Sequence, residues 1–173
     1  MQLSADIATE SDAAAIASLR TAVADDLTRL YGRGHWSFGA TEKGVVRGIT
    51  TSKVLVARTD GHIVGTLRLA TKKPWAIEAK YFAAVRRPLY LIDMAVEPRL
   101  QRHGIGRFLL EEARLAARAW RGDGIRLDAY DAPAGAGGFY ARCGFREVGR
   151  VSYRGVPLIY FEWLSDAAAQ SRG

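Results

Sequence analysis

A pair of glycines, Gly104 and Gly106, lies between a strongly hydrophobic segment and a segment with helical periodicity. Such a turn can bind an anion. The first N–H groups of a helix have no partner, the helix dipole adds partial positive charge, and glycine lets a ligand approach the backbone. Arg102, His103 and Arg107 add side-chain donors around the turn. The segment is therefore predicted to bind a phosphate or pyrophosphate group.

Two common phosphate-binding motifs do not fit this segment. A dinucleotide-binding fingerprint needs its first glycine directly after the strand and a third glycine at position 109, which is Leu109. A P-loop needs Gly-Lys-Ser/Thr, and no lysine follows Gly106. A helix start that contains glycine but binds no ligand stays open as an alternative, because six-residue motifs also match by chance.

The Gln-x-x-Gly-x-Gly spacing at 101–106 resembles the pyrophosphate loop of the GNAT family of N-acetyltransferases. The preceding Val-x-Pro at 96–98 and the run FYARCGF at 139–145 are similar to further elements of that family. The resemblance is specific over 89–150. Before residue 54 it concerns only the order of helices and strands.

The resemblance implies acetyl-CoA as co-substrate and no metal ion. The cofactor's pyrophosphate would lie on the loop, which consists of Gln101, Arg102, His103, Gly104, Ile105, Gly106 and Arg107. Its pantetheine arm would pair, like an added strand, with the backbone of Met94, Ala95 and Val96. A backbone N–H near Met94 or Ala95 would polarise the thioester carbonyl. Many members carry an asparagine where this chain has Pro133, so Asp131 is the nearest polar residue for that contact.

The resemblance also implies that the amine attacks directly, without an acyl-enzyme. Cys143, the one cysteine of the chain, is therefore expected to be a small buried residue rather than a nucleophile. Tyr140 is the expected general acid, which would protonate the departing CoA thiolate. A purely structural aromatic role for Tyr140 is the alternative.

The sequence leaves open which group removes the proton from the amine, because Asp93 has two possible roles. Strand alternation places Tyr90 and Met94 on one face and Asp93 and Ala95 on the other, whereas family bases come from positions that match Tyr90 or Ile92. Either a bulge turns Asp93 toward the reacting groups, or Asp93 is a structural hydrogen-bond acceptor and water takes the proton.

Aromatic residues outside the motif are the candidates for acceptor binding. Trp36 follows the first predicted helix, Trp75 lies in a connection between strands, and Tyr90 lies on the central strand. Ordinary packing explains each of them equally well when taken alone. The acceptor, a small-molecule or peptide amine, is not identified by the sequence.

The composition bounds these hypotheses. The chain has 173 residues, of which 49% are hydrophobic and 25% charged, as in an ordinary globular domain, and no segment has the length of a membrane span. A single cysteine favours a cytoplasmic setting. The net charge of +7 is concentrated in the middle and second half, and 20 of the 25 basic residues are arginine, so a polyanionic partner is expected.

The pattern of hydrophobic residues predicts the elements that carry these groups. Strands are expected near 3–8, 54–58, 63–69, 89–96, 125–130, 146–153 and 158–164, and helices near 11–31, 43–50, 104–120 and 135–143. The third helix is expected to turn Phe108, Leu109, Ala113, Ala116 and Trp120 inward. This order predicts an α/β fold in one domain over 1–173, with its core at about 3–164. The resemblance to the GNAT family implies further that the mixed sheet is mostly antiparallel, with a splayed central strand and helices on both faces.

Three functions compete at this stage. The first is an acetyl-CoA-dependent N-acetyltransferase, and the second is a non-catalytic acyl-CoA-binding sensor on the same fold. The third, a nucleic-acid-binding domain, is disfavoured because only the charge supports it. A homodimer is left open, and no membrane partner is expected.

Overall fold

The computed structural model describes residues 1–171, which form seven strands and five α-helices. The strands are β1 (Ser4–Ile7), β2 (Lys53–Thr59), β3 (His62–Ala70), β4 (Pro88–Val96), β5 (Gly124–Tyr130), β6 (Arg146–Tyr153) and β7 (Val156–Leu164). The helices are α1 (Ala13–Tyr31), α2 (Glu42–Thr51), α3 (Ile105–Ala119), α4 (Gly137–Arg142) and α5 (Asp166–Gln170). No helix in this part of the chain combines the length and hydrophobicity needed to cross a membrane.

The chain divides into two compact units. The first comprises 1–70 and 92–113, and the second comprises 71–91 and 114–173. β4 contributes residues to both units, and the strand order along the sheet is β1-β2-β3-β4-β5-β7-β6. The β4–β5 pairing is parallel, whereas the β1–β2, β2–β3, β5–β7 and β6–β7 pairings are antiparallel. The predicted fold class, a mostly antiparallel mixed sheet with helices, is confirmed.

In the first unit, small and branched apolar side chains join the two N-terminal helices to the sheet. The buried cluster consists of Ala8, Ala13, Ile16, Ala17, Val45, Val54 and Val56. Alanines on α1 allow a close approach to the strands, and β-branched residues on β2 suit the pleated surface. This packing places α1 and α2 over the β2–β3 hairpin, whose turn is Asp60-Gly61.

A glycine on β3 determines where α3 begins. A Cβ atom at Gly65 would lie 2.8 Å from Leu109 Cδ1 and 3.0 Å from Ile105 Cγ2, so only glycine lets the first turns of α3 rest directly on the strand. The backbone N–H of Glu97 donates to Val64 O at 2.9 Å and fixes the end of β4 beside the same strand. The loop between β4 and α3 is thus anchored at both ends.

The second unit contains a polar cluster within its core. The buried Arg126 guanidinium donates to Ala83 O at 2.8 Å and to the Tyr90 hydroxyl at 3.3 Å, and lies 5.1 Å from the centre of the Phe82 ring. The buried Glu162 accepts from the Ala83 N–H at 3.0 Å. Buried charges are tolerated when their hydrogen bonds are satisfied, and these contacts attach the 71–88 connection to β5 and β7.

Most predicted elements agree with the observed ones within two residues. The inward face of α3 is corrected: its buried residues are Ile105, Leu109, Leu110, Ala113 and Ala117. Phe108, Ala116 and Trp120 are only half-buried. The short C-terminal helix α5 was not predicted, because its Ala-rich segment has no apolar periodicity.

The start of α1 is attached to β2 by one carboxylate. Asp12 accepts from Arg58 Nη2 at 2.8 Å and from the Thr9 N–H at 2.9 Å. Burial opposes the charged form of Asp12, but these hydrogen bonds outweigh it and lower the pKa below its ordinary value of 3.8. A carboxyl with a lowered pKa stabilises the folded state above the pKa of the unfolded chain. It loses that contribution as the pH falls through the folded-state pKa.

We expect Asp12→Asn to reduce the free energy of unfolding by about 1–2 kcal/mol near pH 7, because a partly buried charge-assisted pair is lost. The difference from the unsubstituted protein should shrink as the pH falls below 3.8. Urea unfolding at several pH values measures it. Asp25→Asn, at an exposed position on the same helix, is the matched control. A difference in the free energy of unfolding that stayed constant down to pH 2 would contradict the stabilising role of the Asp12 carboxylate.

Candidate functional site

The loop after β4 has the backbone geometry of an anion-binding turn. Arg102 and Gly104 adopt left-handed conformations, with φ values of +65° and +86°. Left-handed residues that interrupt right-handed backbone point successive N–H groups toward one side, where they form a concave anion site. A Cβ at Gly104 would meet no atom within 4 Å, so the space beside that glycine is open.

The N–H groups of 102–107 have no backbone acceptor among the described residues. The first hydrogen bond of α3 runs from the Phe108 N–H to Gly104 O at 2.9 Å. Six donors at a helix start fit a pyrophosphate, which offers several anionic oxygens. The residues present therefore fit the phosphate end of acetyl-CoA.

Side chains brace the loop and surround it with positive charge. Gln101 Nε2 donates to Val96 O at 3.3 Å, and His103 Nδ1 lies 2.9 Å from Gln101 O. The side chains of Arg102 and Arg107 are exposed. Gln101 and His103 thus hold the shape of the loop, while the two arginines leave their donors available to a ligand.

The middle of β4 departs from strand geometry at Asp93. Its φ is +57°, whereas strand residues have negative φ. Asp is one of the few residue types that adopt the left-handed region at modest cost. The ladder with β5 pairs Pro88–Tyr90 and no later residue of β4, in agreement with the predicted splayed strand. The irregular strand breaks the simple alternation expected from the sequence.

Asp93 is held by two arginines of the same unit. Arg20 Nη2 lies 2.8 Å from Asp93 Oδ1, and Arg68 Nε lies 3.4 Å from Asp93 Oδ2. Each of the three side chains is roughly a quarter exposed. Both alternatives stated for Asp93 thus have a counterpart in the structure, since the residue lies at an irregularity of β4 and is also an acceptor for neighbouring donors.

These three charged residues line a pocket in the first unit. Its wall is completed by residues of α1, α2, β2 and β3, namely Ile16, Gly44, Val45, Gly48, Val54, Thr66 and Leu67. The cavity volume is about 20 Å³, which is room for one or two water molecules, and the pocket opens to solvent at its mouth. Met94, which follows Asp93 in β4, is half-buried in the same unit.

Tyr140 lies on α4 in the second unit, where aromatic rings surround it. It is buried, and the rings of Phe139, Phe145 and Phe161 lie 5.3–6.0 Å from its own. Burial, with the nearby charges of Asp128 and Cys143 as smaller causes, raises its pKa well above the ordinary value of 10.0. Its hydroxyl consequently keeps its proton at neutral pH, as a proton donor must.

Asp128, on β5, is a further titratable residue of the second unit. Burial raises its pKa, and its charge contributes to the raised pKa values of Tyr130 and Tyr140. A polar residue between hydrophobic positions of a strand was the available signal. Arg20 and Arg68 were missed altogether, because single arginines on a helix and a strand look like solvated positions.

The remaining predicted residues have varied surroundings. Asp131 is exposed and lies 3.3 Å from Arg150 Nη1, while Trp75 is 84% exposed. Tyr90 is buried beside Arg126. Asp131, Trp75 and Tyr90, with Tyr140, belong to the second unit, whereas Trp36 lies in the first and donates its Nε1–H to Gly32 O at 2.9 Å. Cys143 is buried, and among residues 1–171 no cluster of three or more ligating side chains could hold a metal ion.

The fold and the loop define an α/β protein in which a turn with the backbone geometry of an anion site follows an irregular central strand. Residues 50–147 match the family model described as an acetyltransferase (GNAT) domain. This match covers more than half of the chain, so the protein belongs to the GNAT acetyltransferase family. Among curated protein sequences, none matches the chain significantly.

Solved structures share the fold at low sequence identity. The ribosomal-protein-alanine N-acetyltransferase from Brucella melitensis has a TM-score of 0.72 and 20% identity, over 94% of this chain and 99% of that one. The putative acetyltransferase yncA from Salmonella typhimurium, solved with acetyl-CoA, has a TM-score of 0.69 and 18% identity, over 95% and 94%. PaiA N-acetyltransferase from Thermoplasma acidophilum, solved in complex with coenzyme A, has a TM-score of 0.72 and 14% identity, over 95% of this chain and 100% of that one.

A substitution at Gly104 tests the role of the left-handed backbone alone, because an added Cβ meets no atom within 4 Å. We expect Gly104→Ala to weaken CoA binding about tenfold, because an L-residue resists this φ and the N–H groups would lose their alignment. Isothermal titration with CoA measures the effect. Gly155→Ala is the matched control, since Gly155 has a φ of +79° and equally open space but lies in the β6–β7 turn. An unchanged CoA affinity in Gly104→Ala would refute the role of the loop.

Proposed function

We propose that the protein is an N-acetyltransferase that transfers the acetyl group of acetyl-CoA to an amine by direct attack. The observation that carries this proposal is the loop at 102–107, whose backbone N–H groups have no backbone acceptor within the described chain. Membership of the GNAT family supports acyl transfer as the reaction. We propose further that 1–173 acts as one domain, since the likeness to solved structures extends over 94–95% of the chain.

The loop and β4 would hold the two ends of the co-substrate. The N–H groups of 102–107 would bind the pyrophosphate, and the side chains of Arg102 and Arg107 would add charge at its rim. The backbone of Met94, Ala95 and Val96 would pair with the pantetheine arm, because the β5 ladder ends earlier, at Tyr90. When bound, acetyl-CoA supplies an activated thioester. An N–H of Met94 or Ala95 would stabilise the charge that develops on its carbonyl oxygen.

The acceptor's ammonium ion must first lose a proton to water, and two more proton transfers accompany the reaction, one at the attacking nitrogen and one at the departing sulfur. The amine forms a C–N bond with the acetyl carbon, the C–S bond breaks, and the proton of the attacking nitrogen passes to water. Tyr140, whose raised pKa keeps the hydroxyl protonated, would give a proton to the departing sulfur and regain one from water. We assign Asp93 to positioning rather than to proton abstraction, since both of its oxygens lie against guanidinium groups.

A non-catalytic acyl-CoA sensor is the second candidate function. The observation that favours it is the pocket beside β4, whose one carboxylate is engaged by Arg20 and Arg68 and whose lining contains no histidine. Release of CoA thiol from acetyl-CoA in the presence of a panel of amines distinguishes the two. Binding of acetyl-CoA without thiol release for any amine would favour the sensor.

For Tyr140→Phe we expect kcat to fall about 10²-fold, with little change in the affinity for CoA, because the thiolate would leave without a proton donor. Thiol release and calorimetric CoA titration measure the two quantities. Tyr153→Phe, a half-buried tyrosine of β6, serves as the control for loss of a hydroxyl. An unchanged kcat in Tyr140→Phe would remove the acid from the mechanism and leave Tyr140 as a packing residue.

Asp93→Asn separates positioning from base catalysis. Asparagine also tolerates the left-handed backbone, so we expect the fold to persist and kcat to fall by less than about tenfold. The apparent pKa of the pH–rate profile should stay the same. Loss of the corresponding limb of that profile, with a decrease of about 10²-fold or more, would identify Asp93 as the base instead.

A further inference from the structure

The pocket beside β4 contains more positive charge than the protein neutralises. Two guanidinium groups, Arg20 and Arg68, face one carboxylate, Asp93, and no other charged residue lines the pocket. Arg20 makes the shorter contact with Asp93, at 2.8 Å, against 3.4 Å for Arg68. The charge that is left over is therefore centred on Arg68.

Arg68 also has unused hydrogen-bonding capacity. Its Nε atom is buried, and its contact with Asp93 lacks hydrogen-bond geometry. In the described part of the chain, no hydrogen bond from its terminal nitrogens is found. A buried donor without an acceptor is unfavourable, and a guanidinium group has a planar fork of donors that matches a carboxylate. The side chain is thus prepared for an anion.

The pocket is built to accommodate this guanidinium group. A Cβ atom at Gly48 of α2 would lie 3.2 Å from Arg68 Nη1 and 3.3 Å from its Cδ. Glycine in a helix interior is less favourable than alanine, yet here it lets the arginine lie against the helix backbone. The aliphatic side chains of Ile16, Val45 and Leu67 form the rest of the wall.

We infer that this pocket binds the acetyl acceptor and that the acceptor is a small amine that carries a carboxylate, such as an amino acid. The inference rests on the proposed acetyl transfer and names its substrate class. The acceptor's carboxylate enters the pocket and pairs with Arg68, its ammonium group faces Asp93, and its apolar part lies toward the open mouth. One surplus positive charge matches a carboxylate better than a phosphate monoester, which carries a charge of about −1.5 to −2 at pH 7.

Amino acids and the amines that lack only their carboxylate provide the test. We would measure kcat/KM by thiol release for leucine against isoamylamine and for phenylalanine against phenethylamine, using the full chain and acetyl-CoA. We expect the carboxylate-bearing member of each pair to be preferred about tenfold or more. The amine without a carboxylate cannot form the charged hydrogen bond in this partly buried site. Arg68→Leu should abolish the preference, so that kcat/KM becomes the same within about twofold for the two members of each pair.

Two further variants separate this role from a loss of folding. Gly48→Ala should reduce the preference less than Arg68→Leu does while thermal stability is retained, because the added methyl group makes the Arg68 side chain shift by only a few tenths of an ångström. Arg47→Leu changes an exposed arginine of the same helix and should leave the preference intact.

Each outcome decides a different statement. Equal acetylation of both members of each pair would overturn the acceptor class while the proposed acetyl transfer stands. If none of the tested amines supports thiol release and the protein also fails to bind CoA, the proposed function itself is overturned. In that case calorimetric titration with leucine and with isoamylamine still tests the pocket. Binding of leucine alone, lost in Arg68→Leu, would support the carboxylate site, and binding of neither would refute it.

Discussion

The ion pairs of Asp93 with Arg20 and Arg68 hold a backbone conformation that a strand does not adopt by itself. A left-handed residue other than glycine costs on the order of 1–3 kcal/mol, and it persists only when its surroundings determine it. Arg20 comes from α1 and Arg68 from β3, so a helix, a strand and the irregular strand β4 meet at one carboxylate. The position of the pocket follows from this junction, because its walls belong to the same elements.

The loop after β4 depends on a second kind of constraint, which is close packing rather than charge. Gly65 allows Ile105 and Leu109 to reach the sheet, and the Glu97 N–H attaches the end of β4 to β3. Between these fixed ends, Arg102 and Gly104 take up the change of direction through positive φ angles. The free N–H groups are therefore a consequence of where the strand must end and where the helix must begin.

The sequence predicted the elements and the loop well, because both depend on local signals. Hydrophobic periodicity located the strands, and the Gln-x-x-Gly-x-Gly spacing identified the turn before any geometry was known. The pair of arginines beside Asp93 could not be predicted from the sequence. Residues 20, 68 and 93 are far apart in the chain and meet only through the packing of α1 on β3. The helical face of α3 was partly wrong, because Leu110 and Ala117, rather than Phe108 and Trp120, are buried.

The loop combines two kinds of positive potential that respond differently to the medium. Its backbone N–H groups act at contact distance, where dissolved ions interfere little with them. The exposed side chains of Arg102 and Arg107 act mainly through solvent, where the Debye length at physiological ionic strength is about 8 Å. In dilute buffer the arginines would therefore contribute to the rate at which a polyanion is captured. In concentrated salt the retention of the anion would depend on the backbone alone.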